Sequence, residues 1–93
     1  MSDSIPVPAE ALRKVASSAT EEVSAARERG HKSTARHVER DLSKAYRALD
    51  GNDGEYVSVS WSVVSTLTAA ADHSEVGDYS NCCRHYLEQY NYW

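Results

Sequence analysis

Glu55-Tyr56-Val57-Ser58-Val59-Ser60-Trp61-Ser62-Val63-Val64-Ser65-Thr66-Leu67-Thr68-Ala69-Ala70-Ala71-Asp72 is the stretch on which the fold turns. Val57, Val59, Trp61 and Val63 alternate with Ser58, Ser60 and Ser62, the pattern of a half-buried strand in β-prone composition. The alternation breaks at Val63-Val64. On a helical wheel Tyr56, Val57, Val59, Val63, Val64, Leu67, Ala70 and Ala71 share an arc of roughly 160°, with Ser58, Ser62 and Ser65 opposite and Trp61 at the edge. No other segment reads as β, so a strand here would leave its backbone groups without a partner. The reading is therefore a helix over 55–72; the alternative is an α+β domain with 56–68 as a strand.

Upstream, Leu12, Val15, Ala16, Ala19, Val23 and Ala26 recur at helical spacing, with Pro8 suited to a first turn and Gly30 to a stop. This predicts a first helix over 8–29. Ser33 is the expected N-cap of a second helix whose stripe is Ala35, Val38, Leu42, Ala45, Tyr46 and Leu49, ended by Gly51 and a turn at Asn52-Asp53-Gly54. Downstream, 73–77 reads as a connector and Asp78 as the cap of a fourth helix carrying Val76, Tyr79, Cys82, Cys83, Tyr86, Leu87 and Tyr90. The expected fold class is all-α, two antiparallel helical hairpins forming a small four-helix domain over 8–93. Residues 1–7, with Pro6, are expected to be a flexible N-terminal arm. Gly77, Tyr79, Cys82 and Tyr86 resemble the inter-helix segment of a tetratricopeptide hairpin, which implies a protein-binding scaffold; His73 and Thr66 depart from that pattern, and the family is not assigned.

The 93 residues make one domain, and 26% charged with 41% hydrophobic residues is globular rather than disordered composition. Charge and aromaticity divide unevenly. Residues 1–50 carry nine Lys/Arg against eight Asp/Glu, whereas 51–93 carry only Arg84 against six acids. Both tryptophans and five of the six tyrosines also follow residue 50. The adjacent Cys82 and Cys83 offer no disulfide framework, no apolar leader opens the chain, and no apolar run reaches bilayer length, so a cytoplasmic protein with no membrane contact is expected.

Three groups of residues stand out. Arg36, Arg40, Lys44 and Arg47 lie within roughly 80° on the second helix, opposite its apolar stripe, with Glu39 and Asp41 beside them. They read as a solvated outer face, as a seat for an acidic protein, or as a rail for phosphates. Trp61, Tyr79, Tyr86, Tyr90, Tyr92 and Trp93 supply large contact area at low entropic cost. Tyr79, Tyr86 and Tyr90 suit the core equally well, whereas Tyr92 and Trp93 point to a contact with a partner. Cys82, Cys83 and His85, with His73 upstream, lack the paired spacing of a zinc site, and Cys83 is turned about 100° from the face that Cys82 and His85 share. No metal ligand, cofactor or catalytic residue is assigned, because no phosphate loop, nucleophile elbow or metalloprotease pattern occurs.

The function expected from these features is a non-enzymatic protein–protein interaction module, a small adaptor, regulator or inhibitor. Its contact residues are expected to be Trp61, Tyr86, Tyr90, Tyr92 and Trp93. Its state is expected to be a monomer or a homodimer, and its partner is another protein. The alternative is a nucleic-acid-binding protein using Arg36, Arg40, Lys44 and Arg47, against which the net charge of −4 weighs.

Overall fold

The computed structural model describes residues 4–90. Along the chain these form β1 (Ser4–Pro8), α1 (Ala9–Glu28), α2 (Lys32–Asp50), β2 (Tyr56–Ser60), α3 (Trp61–Ala70) and α4 (His73–Gln89). The architecture is mostly helical, with one small antiparallel sheet in which Ser4 pairs Ser60, Pro6 pairs Ser58 and Pro8 pairs Tyr56. No helix among the described residues is long and apolar enough to cross a membrane.

The decisive stretch is divided between the two readings it invites. Its alternating part, 56–60, is a strand, and the part after Trp61 is a helix. Neither a helix over 55–72 nor a strand over 56–68 describes it. The missing strand partner is Ser4–Pro8, which takes in most of the expected flexible arm, 1–7, and the proline expected to open the first helix. The signal was present: a residue before proline is driven to extended backbone, which applies to both Ile5 and Val7. Proline cannot donate a ladder hydrogen bond, so Pro6 and Pro8 must turn their nitrogens away from β2. Ile5 and Val7 then face it with their N–H groups, and the same two-residue spacing continues in the bond from Ala9 N–H to the Glu55 carbonyl, 2.8 Å. With strand period 2, Ile5, Val7, Val57 and Val59 all point into the core and are buried.

Both strands run straight into helices by the same backbone device. Pro8 (φ −59°, ψ 127°) precedes α1 and Ser60 (φ −57°, ψ 137°) precedes α3. The α1–α2 hairpin turns at Gly30, whose φ of +87° is left-handed backbone that glycine adopts without strain. Leu12, Val15, Ala16, Ala19 and Val23 of α1 bury against Ala35, Val38, Leu42, Ala45 and Leu49 of α2. Tyr46 does not join that stripe: its ring is exposed, and its hydroxyl shares a hydrogen bond with Thr20 Oγ1 at 3.2 Å. The second helix starts at Lys32 with His31 in the capping position, not Ser33.

The fourth helix also begins earlier than its sequence suggests. Asp72 caps it, accepting from the Ser74 N–H (2.9 Å) and hydroxyl (2.7 Å), while the Asp72 N–H donates to Ser18 Oγ on α1 at 2.9 Å. The helical path kinks at Val76 (φ −126°, ψ 29°) just before Gly77. Residues 73–77 are thus a helical turn and a kink rather than a loop. Gly77 to Tyr86 lies within α4 and is not an inter-helix segment.

Candidate functional site

Tyrosines from two distant parts of the chain meet at one end of the sheet. Tyr56 opens β2 and leaves the core because it sits on the outward phase of the strand; it is 52% exposed. Tyr86 projects from α4 to meet it, with ring centroids 6.2 Å apart and planes at 64°, an edge-to-face arrangement favoured by the ring quadrupoles. The Tyr86 hydroxyl donates to the Tyr56 hydroxyl at 3.5 Å. That hydrogen bond is the main reason the Tyr86 phenol is pushed up to about 12, with burial and the neighbouring Tyr56, Cys82 and Tyr90 adding to it. Tyr86 is thus a neutral donor throughout the physiological range. His85 stacks edge-on against Tyr86, centroids 5.7 Å apart, and Tyr90, the residue that ends α4, is 43% exposed.

The other aromatic candidates fall elsewhere. Tyr79 and Trp61 are half-buried against the core. Trp61 starts α3 at the far end of β2 from Tyr56, about 16 Å along the strand, so the fold does not bring it into the tyrosine cluster. Tyr92 and Trp93 lie outside the described residues. Tyr56 is the member that reading the sequence as a helix missed, because a helical arc assigned it to the core.

The Cys83 thiol is unlike an activated nucleophile. Cys83 is fully buried, and burial, with the adjacent Cys82 contributing, pushes its thiol up to about 12. Among the described residues no three His, Cys, Asp or Glu side chains are placed to hold a metal ion together.

Arg36, Arg40, Lys44 and Arg47 are all exposed along α2, spanning about 16 Å of helix. The flanking acids are engaged: Glu39 pairs with Arg27, and the largely buried Asp41 has an oxygen 4.0 Å from Lys44 Nζ. Two depressions mark the ends of this face. One, of about 250 Å³, is lined by Ser33, Arg36, His37 and Arg40. The other is lined by Arg13, Tyr46, Arg47, Leu49, Asp50 and Asn52, so that Arg13 of α1 joins the basic residues there.

No protein-family model, curated protein or solved structure matches this chain.

Proposed function

We propose that this chain is a non-enzymatic protein-binding module, an adaptor, regulator or inhibitor that grips another protein through Tyr56, Tyr86 and Tyr90. The observation that carries this reading is the meeting of exposed Tyr56 from β2 with half-buried Tyr86 of α4, close to exposed Tyr90 at the end of that helix. A folding chain gains little from leaving two tyrosines about half in water, whereas a partner surface gains large, stiff contact area from them. In sequence Tyr92 and Trp93 follow Tyr90 with only Asn91 between, and they belong to the same reading. Trp61, at the other end of β2, is at most a peripheral contact. The two unbridged, adjacent thiols suit a reducing cytoplasmic setting.

The test compares wild type with a Tyr56→Ser/Tyr90→Ser double variant in affinity capture from the native host, with light scattering to report self-association. Both sites are exposed, so the variant is expected to fold. Loss of a specific captured protein, or of a dimer, is expected. Identical captured proteins and an identical oligomeric state would remove the reading.

The second reading, nucleic-acid binding through Arg36, Arg40, Lys44 and Arg47, is favoured by their common exposure on α2. Phosphate contacts make such binding steeply dependent on salt. Fluorescence anisotropy with a single-stranded oligonucleotide at about 50 mM salt decides it, absence of binding eliminating the rail.

A further inference from the structure

We propose that the depression at the start of α2 is a binding site for a phosphate group carried on a small molecule. Its lining is chemically one-sided. Ser33, Arg36, His37 and Arg40 supply a hydroxyl, two guanidinium groups and an imidazole, and no carboxylate. Arginine can only donate, so in the contact of Arg40 Nη2 with His37 Nδ1 at 3.2 Å the imidazole accepts. The imidazole proton then resides on Nε2, leaving it as a further donor. The same bond anchors the Arg40 guanidinium, which spends one N–H on the ring and keeps the others for a ligand. The acids that would otherwise occupy these groups are committed elsewhere, Glu39 to Arg27 and Asp41 beside Lys44. The backbone adds to the side chains: the first turn of α2 has no acidic residue and no side-chain cap, so the partial positive charge of the helix end is not neutralised there.

The depression at the other end of the same helix serves as an internal control. It also contains two arginines, Arg13 and Arg47, but Asp50 shares it. It lies at the carbonyl end of α2, where the helix dipole repels an anion. Arginine count is equal at the two ends, and only the first end combines all-donor lining with a favourable dipole. A tetrahedral dianion, with several oxygens for two guanidinium forks, fits that chemistry better than a single carboxylate. The site does not involve the tyrosine cluster, so its failure would leave the protein-binding reading untouched. It uses Arg36 and Arg40 in common with the nucleic-acid reading, and Arg47 separates the two.

The experiment is a titration of the isotope-labelled full chain with inorganic phosphate, followed by NMR of backbone amides and arginine Nε–H groups. Acetate is the carboxylate control, and a short single-stranded DNA is the polymer control. Saturable shifts confined to residues 32–40, with an apparent Kd of about 1 mM, are expected. Acetate should produce much smaller ones. Arg36→Gln and Arg40→Gln should each weaken phosphate binding roughly tenfold, and Arg47→Gln should leave it unchanged. The proposal is overturned by the absence of saturable shifts up to about 20 mM phosphate. It is equally overturned by shifts that run on to Lys44 and Arg47 and diminish in Arg47→Gln, or by DNA binding that needs the whole face, either of which assigns these arginines to a polymer rail.

Discussion

β1, α1 and α2 repeat in outline as β2, α3 and α4, and the two units bury the same positions with different residues. Ile5, Val7, Ala11, Leu12, Val15, Ala16 and Ala19 of the first correspond in order and spacing to Val57, Val59, Val63, Val64, Leu67, Thr68 and Ala71 of the second. Val38, Leu42, Ala45 and Leu49 of α2 have the spacing of Val76, Ser80, Cys83 and Leu87 of α4. The strand register obeys the same equivalence, with Pro6 opposite Ser58 at its centre. The units are interlocked: α2 lies against β2 and α3, while α4 lies against β1 and α1. They differ in what the core does not govern. α1 has 20 residues and α3 only 10, because α3 stops where Ala71 turns extended and Asp72 caps the next helix. The first unit exposes a row of arginines as well as Tyr46, and the second exposes Tyr56 and Tyr90 with no such row. Buried spacing thus sets the architecture, and the outward positions are left to set the chemistry of each surface.

The interlocking predicts the largest effect. Fragments 1–53 and 54–93 should each lose stable helix by circular dichroism, because each strand loses its partner and each second helix loses part of the surface it covers. Mixing the fragments should restore the helical signal, and a fragment that folds alone as a monomer would break the comparison. Proline substitution sharpens the strand equivalence. Ser58→Pro puts into β2 what Pro6 is in β1, with the nitrogen facing outward, and should cost less than about 1 kcal/mol in urea unfolding. Val59→Pro removes an inward ladder donor and should cost about 3 kcal/mol or more.

Ser80 is the imperfect member of the second set. It occupies the place held by Leu42 in α2, and its hydroxyl is buried with no hydrogen-bond partner among the described residues. Ser80→Ala removes an unsatisfied group and should raise stability by about 1 kcal/mol, read as a higher urea midpoint with an unchanged slope.

The smallest effects are electrostatic and lie where the two units meet. Ser74 donates from its hydroxyl and N–H to Asp72, holding that carboxyl below its ordinary 3.8. Its contribution is full above that ordinary value and is lost as pH falls through the lower folded one. Glu75 is raised above 4.5, chiefly by the charge of Glu21, with desolvation, Asp72 and Glu22 reinforcing it. Its penalty is present above the raised value and is relieved as pH falls through it. Asp72→Ala should therefore lower Tm at neutral pH. Glu75→Gln should raise it slightly and remove the gain that wild type shows on mild acidification. Thermal scans across the acid range check both signs.

Much of the helical framework was legible without coordinates. The stripes of α1 and α2 are long enough for a 3.6-residue period to be unmistakable, and their buried residues agree with it, Tyr46 excepted. The strands were not legible, for a reason specific to their length. Five residues of Val-Ser alternation merge directly into a helix at Trp61, so a single period fitted to the whole segment suits neither part. β1 is harder still, because prolines interrupt it and it pairs with a strand about fifty residues away. Of the candidate surfaces, the arginine face of α2 follows from one helix's periodicity. The tyrosine cluster does not, since Tyr56 and Tyr86 belong to different elements.

Residue pattern alone determined the mostly helical character, the α1–α2 hairpin turning at Gly30, the outward arginines and the charge division between the two halves. Tertiary structure decided that 4–8 and 56–60 pair, that Trp61 and Tyr56 stand at opposite ends of β2, and that Tyr56 joins Tyr86. Local periodicity reports which side of an element avoids water, and that depends only on neighbours along the chain. Which strand completes another's hydrogen bonds, and which rings meet across a gap in sequence, depends on how all the buried faces close together.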